Sequence, residues 1–137
     1  MLAAIMHTDH TSAADPADPD LTDYVAGWRE RARREREAAA TWCARMLARL
    51  PAVARMLRED FGVGRVLLFG SLARGEAGPG SDVDLLVDGL AMADLIRATV
   101  RAERLLQEAH ADLVPTESAR PAVRARAESE GRVIHVP

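Results

Sequence analysis

The second half of the chain alternates short apolar runs with amphipathic segments, and this alternation predicts an α/β domain behind a long helical extension. Two observations carry that reading. Apolar residues recur at steps of three, four or seven from Tyr24 through Trp28, Ala32, Ala39, Trp42, Met46, Leu50 and Val53, which is the spacing of one helical face. Beyond Gly64 the texture changes to runs of four to seven residues rich in Val, Leu and Phe, bounded by Gly, Pro and Asp.

Taken in order, residues 1–20 hold four aspartates, two Asp-Pro pairs and no apolar period, and are expected to be a flexible acidic tail. Thr22 or Asp23 can cap the helix that follows, and Pro51 is expected to divide it into Leu21–Leu50 and Pro51–Phe61. Gly62 and Gly64 end the second helix. Arg65–Phe69 reads as a buried strand, Gly70–Gly75 as a turn and helix start, Glu76–Gly80 as a loop and Ser81–Val87 as a second strand. Asp88-Gly89 is a turn, Met92–His110 an amphipathic helix and Ala111–Val114 a third strand stopped by Pro115. Pro121–Glu130 is a last helix, and Arg132–Val136 an edge strand. The division that follows is a tail (1–20), a helical extension (21–50) and a domain (51–137).

Composition narrows the chemistry. With 137 residues, 48% of them apolar, the chain suffices for one domain core. No apolar run approaches the ~20 residues that span a bilayer, and the start lacks a basic flank, so neither a membrane span nor a signal peptide is expected. A single cysteine, Cys43, excludes a disulfide framework or Cys-rich zinc site and fits a cytoplasmic location. All 18 basic residues are arginine, which removes lysine nucleophiles and a P-loop lysine. The net charge of −3 argues against a general nucleic-acid binder.

The stretch Phe69–Val87, FGSLARGEAGPGSDVDLLV, concentrates the chemistry. Asp82 and Asp84 stand two apart on a predicted strand, so their side chains leave one face, with Cα atoms about 7 Å apart. Two such carboxylates repel unless a cation compensates, and Mg2+ suits hard oxygen ligands. Upstream, Gly70-Ser71 opens a helix after a buried strand, aiming backbone N–H groups and a hydroxyl at an anion. Arg74, one turn on, can reach a phosphate oxygen or pair with Glu76. Asp112, the carboxylate of the third strand, can complete a triad as ligand or general base. A phosphate cradle beside paired carboxylates is what phosphoryl or nucleotidyl transfer requires.

The run G-S-x-x-R-G followed by S-D-V-D resembles the minimal nucleotidyltransferase (MNT) family of the DNA polymerase β-like superfamily, over about Pro51–Val136. The resemblance implies an α/β (α+β) fold, a small mixed sheet flanked by helices, preceded here by the extension. It implies phosphate binding at Gly70 and Ser71, with Asp82, Asp84 and Asp112 as metal-binding and catalytic acids; Arg74 and Ser81 are further candidates for phosphate or nucleotide binding. Two Mg2+ ions and ATP or another NTP would be the cofactor and substrate. Family members pair as antitoxins with HEPN-domain toxins and AMPylate them, so a HEPN toxin is the implied partner. The extension could also make a homo-oligomer. Two other roles share the pattern: transfer to a small molecule of the aminoglycoside type, and a non-catalytic antitoxin acting by contact.

Other features have ordinary structural readings. Ser81 is expected to be a turn residue that positions Asp82, with no neighbour to activate it as a nucleophile. The arginine run Arg29–Arg36 interleaves with Glu30, Glu35 and Glu37, as on a solvated helix face. Trp28 and Trp42 are expected to pack, and Cys43, His110 and His135 are expected to be structural.

Overall fold

In a computed structural model the structure describes Pro19–Val136, and the expected acidic tail lies outside these residues but for its last two. The elements are α1 (Pro19–Phe61), β1 (Val66–Phe69), α2 (Ser71–Arg74), β2 (Val83–Val87), α3 (Leu95–Leu106), β3 (Ala111–Pro115), α4 (Pro121–Glu130) and β4 (Arg132–Val133). Single 3-10 turns, Met92–Asp94 and Thr116–Ser118, precede α3 and α4. The strands form one sheet in the order β3-β2-β1-β4. β1 runs antiparallel to both β2 and β4, and β2 runs parallel to β3, so the sheet is mixed. β1 and β2 are joined by the Gly70–Asp82 segment that carries α2, whereas the parallel pair β2–β3 needs the α3 crossover.

Each strand serves two faces. Val66 and Leu68 of β1, Val83, Leu85 and Val87 of β2, and Leu113 of β3 enter the main core with Trp42, Met46, Leu50 and Leu57 of α1 and with Ala98 and Leu106 of α3. Leu67, Phe69 and Leu86 turn to the opposite face and pack with Ala127, Val114 and Val123 under α4. Burial on both faces explains why β1 reads as an unbroken apolar run. By the same alternation Asp82, Asp84 and Asp112 belong to the α4 face.

Several expectations are corrected. Pro51 does not divide the first helix, which is continuous from Pro19 to Phe61. A proline inside a helix costs about 3 kcal/mol through its missing N–H and ring clash. Met46, Leu50, Val53, Ala54 and Leu57 around it are fully buried, and that packing outweighs the local penalty. Replacing Pro51 by alanine should therefore raise stability by about 1–3 kcal/mol in urea denaturation, and a lower midpoint would contradict this account.

Second, Tyr24 and Trp28 are 63% and 60% exposed, whereas Trp42 and Met46, further along the same stripe, are buried. The chain divides into two units within α1, after Glu37, and the exposed aromatics belong to the first. Periodicity identifies a face but not whether anything covers it. On this segment Arg33 pairs with Glu30 and, at 2.6 Å, with Glu37, as expected of a solvated charged face.

Third, β4 is two residues long rather than five, although it does lie at the sheet edge. The expected helix Met92–His110 likewise stops at Leu106, where Gln107 takes a positive φ of 68°. The Arg49 guanidinium donates to the Leu106 carbonyl at 2.6 Å and bonds Glu108 at 2.8 Å, satisfying groups at this helix end. No helix among the described residues is long and apolar enough to cross a membrane.

Candidate active site

The topology brings together residues that are 28 positions apart. In the parallel β2–β3 pair, Asp84 and Asp112 are direct register partners, and on its other side Asp84 faces Phe69 of β1. Asp82 precedes β2 by one residue and is exposed, as is Asp112, while Asp84 is half-buried. Burial, reinforced by the charges of Asp112 and then Asp82, pushes the Asp84 carboxyl up to about 6; Arg126 and Arg74 act against that rise. Asp84 thus senses the charges of both other carboxylates at the ends of the two strands.

Gly70 is the residue that makes this approach sterically feasible. Its φ of 79° and ψ of −158° lie where side-chain-bearing residues are strained, and a Cβ there would collide with the Asp84 carboxylate. The turn that follows opens α2 at Ser71, which is half-buried, and closes at Gly75 in the left-handed region. Ser81 sits where a turn residue was expected: its Oγ accepts from the Gly78 N–H at 3.0 Å, and its own N–H donates to the Gly78 carbonyl at 2.9 Å. That ring fixes the loop just ahead of Asp82.

Arg74 takes the ion-pair alternative. Its Nε donates to Glu76 at 3.0 Å and its Nη1 to Glu130 at 3.2 Å. Glu130 also accepts from the Gly70 N–H at 3.1 Å, and this bond, with the charges of Arg74 and Arg126, holds its carboxyl below the usual range. A cleft of about 340 Å³ opens beside the acids, lined by Asp84 and Asp112, by the apolar Phe69, Val114 and Val123, and by Arg126 of α4. The Arg126 guanidinium lies 6.0 Å from the Phe69 ring centroid. Acids, an arginine and an apolar wall lining one cleft suit a ligand that is both phosphorylated and partly apolar.

Sequence reasoning missed Glu130 and Arg126. Both lie on a helix whose local pattern is unremarkable, and only the fold brings α4 against β1. Cys43, His110 and His135 stay outside the site: Cys43 Sγ donates to the Ala77 carbonyl at 3.1 Å, and His110 Nδ1 lies 3.2 Å from Glu103.

Among the described residues, no three Asp, Glu, His or Cys side chains close on one point as a ready metal cage. Mg2+ does not require one, because it binds through one or two carboxylates and retains waters and substrate phosphates. The hard oxygens of Asp84 and its neighbours, whose mutual repulsion a dication would relieve, fit that mode.

A mixed four-stranded sheet with registered acids beside a glycine-serine turn is an arrangement suited to the transfer of phosphoryl-type groups. The Nucleotidyltransferase domain family model matches residues 50–134, and the chain belongs to this family of nucleotidyltransferases. A protein classed as a minimal nucleotidyltransferase is 33% identical over 75% of this chain and 92% of its own, with a TM-score of 0.51. The protein adenylyltransferase MntA of Thermococcus cleftensis is 56% identical over 39 residues, 28% of this chain, and the match spans only 39% of that relative's length. A toxin-antitoxin crystal structure with AMP-PNP shares the fold at 21% identity and a TM-score of 0.56, covering 64% of this chain and 73% of that one. A tri-AMPylated Shewanella oneidensis HEPN toxin in complex with its MNT antitoxin aligns at 19% identity over 63% of this chain and 68% of the other, with a TM-score of 0.50.

Proposed function

We propose that this nucleotidyltransferase moves a nucleoside monophosphate, AMP from ATP, to a hydroxyl of a HEPN-domain toxin, and so acts as the antitoxin of the pair. The observation that carries the reading is the registered pair Asp84 and Asp112 beside the Gly70-Ser71 turn. The names of the similar proteins, an adenylyltransferase and complexes of MNT antitoxins with HEPN toxins, support the acceptor and the nucleotide. A cytoplasmic setting is consistent with such a partner.

In this scheme Asp82, Asp84 and Asp112 would hold Mg2+, two ions as the resemblance implies. Bound there, magnesium would neutralise phosphate charge and help align donor and acceptor oxygens. The Gly70 N–H and Ser71 hydroxyl would hold phosphate oxygens. Arg74 would add charge after leaving its present partners, and Ser81 would act by fixing the loop that carries Asp82. Asp112 is exposed at the strand end and can accept the proton of an acceptor hydroxyl. The apolar wall of Phe69, Val114 and Val123 offers a surface for the nucleoside or for an aromatic acceptor side chain.

The direct test is the intact mass of the protein encoded by the neighbouring gene after incubation with this chain, Mg2+ and ATP. Gain of whole AMP units is expected. An unchanged mass with every NTP, from a preparation that binds nucleotide, would defeat the proposed acceptor. Asp112→Asn should lower transfer by about 10²–10⁴-fold while leaving ATP binding within a few-fold, the signature of a lost base rather than a lost seat. Equal loss in both measurements would assign Asp112 to nucleotide binding instead.

A further inference from the structure

Two of the donors that the proposed function gives to phosphate, the Gly70 N–H and the Arg74 guanidinium, are already occupied by an anion of the protein itself. Glu130 accepts from the Gly70 N–H at 3.1 Å and from Arg74 Nη1 at 3.2 Å, and Arg126 Nε lies 3.9 Å away. From these contacts we propose that the Glu130 carboxylate is an internal stand-in for a nucleotide phosphate, which an arriving NTP must displace, and that Glu130 thereby sets nucleotide affinity. The inference rests on the nucleotidyltransferase reading of the Gly70-Ser71 turn.

The backbone under Glu130 is tightly located while its side chain has somewhere to go. Gly131 passes so close to the Ala127 carbonyl and the Leu67 side chain that a Cβ there would clash with both. Its N–H donates to Ala127 at 2.8 Å, and the next residue, Arg132, pairs with Leu68 of β1. These contacts fix the end of α4 against the sheet and deliver the Glu130 side chain to the turn. Its bonds there are made by the side chain alone, and that side chain retains 22% exposure, so rotation about its own torsions releases the turn without unpacking α4. A carboxylate and a phosphate are both acceptors of negative charge, so they cannot share one N–H and one guanidinium without repulsion. Arg74 and Arg126, once released, remain beside the arriving phosphates as cations.

Calorimetric titration of Mg-ATP into the full chain, into Glu130→Gln and into Glu130→Ala is the test. Glutamine keeps an acceptor of the same shape for the Gly70 N–H and so preserves the α4 contact, while alanine removes the competitor altogether. Both variants should bind Mg-ATP about three- to tenfold more tightly, with KM for ATP falling in parallel. A residue that only braced the turn would give the opposite sign. Unchanged or weaker binding by Glu130→Gln, with wild-type binding intact, overturns the inference and leaves the nucleotidyltransferase reading standing. If neither wild type nor variants bind any of the four NTPs, that reading of the turn fails and the inference falls with it.

Discussion

Asp84→Asn should abolish nucleotide transfer, by about 10³-fold or more, and at the same time stabilise the metal-free protein above pH 6. The opposition follows from one carboxylate. In the folded chain Asp84 titrates at about 6 because it is half-buried and faces Asp112 and Asp82; unfolded, it returns to the ordinary carboxylate range near 3.9. Between those values the folded state binds more protons than the unfolded state, so stability falls as pH rises from about 4 to about 6 and is flat above. Asparagine cannot ionise and escapes that loss. In chelator-treated samples the variant should gain about 1–2 kcal/mol at pH 7.5, after allowance for solvent screening, and little at pH 4. Thermal melts across this range check the sign directly. In the wild type, Mg2+ affinity should increase through pH 6 as the carboxylate ionises. Catalysis and stability would be uncoupled at this position if Asp84→Asn lost activity without any pH-dependent gain, and full activity in the variant would remove Asp84 from the mechanism.

Gly70→Ala should be the most damaging small substitution in the domain, costing about 3–5 kcal/mol and all measurable transfer. Two independent penalties combine. The backbone at φ 79° and ψ −158° lies in a region held essentially by glycine alone, worth about 1–3 kcal/mol to any other residue. The added Cβ would also drive into the Asp84 carboxylate, forcing β1 and β2 apart or swinging the acid out of line. Because domains are stable by only about 5–15 kcal/mol, the variant should show a large drop in urea midpoint. The steric share can be separated from the backbone share by combining Gly70→Ala with Asp84→Ala, which deletes the colliding carboxylate. The double variant should recover about 1–2 kcal/mol relative to the sum of the singles, and strict additivity would mean that the collision is relieved some other way.

Much of this architecture was legible before any coordinates, because it depends on short-range rules. Val66–Phe69, Val83–Val87 and Ala111–Pro115 appear where apolar β-type runs lie between turn residues, and α3 appears where helical spacing resumes. Asp82 and Asp84 could be placed on one side of their strand from the two-residue period alone. The Gly70-Ser71 turn was legible only in the company of Asp82, Asp84 and Asp112, because a Gly-Ser pair alone is an ordinary turn signal. Local rules failed where tertiary contacts opposed them. Pro51 reads as a helix break, yet burial of Met46, Leu50 and Leu57 carries the helix through it. Trp28 and Trp42 share one apolar stripe, but only Trp42 is buried.

By itself, then, the sequence determined where the three central strands and the later helices lie and the face shared by the paired acids, since each depends on neighbours within a few residues. The tertiary structure decided which acid stands opposite which and which turn each helix end meets. The pairing of Asp84 with Asp112 is a matter of strand register. The meeting of Glu130 with Gly70 and Arg74 is a matter of where α4 crosses the sheet. Both are set by packing summed over the whole core, a quantity that no local stretch of residues contains.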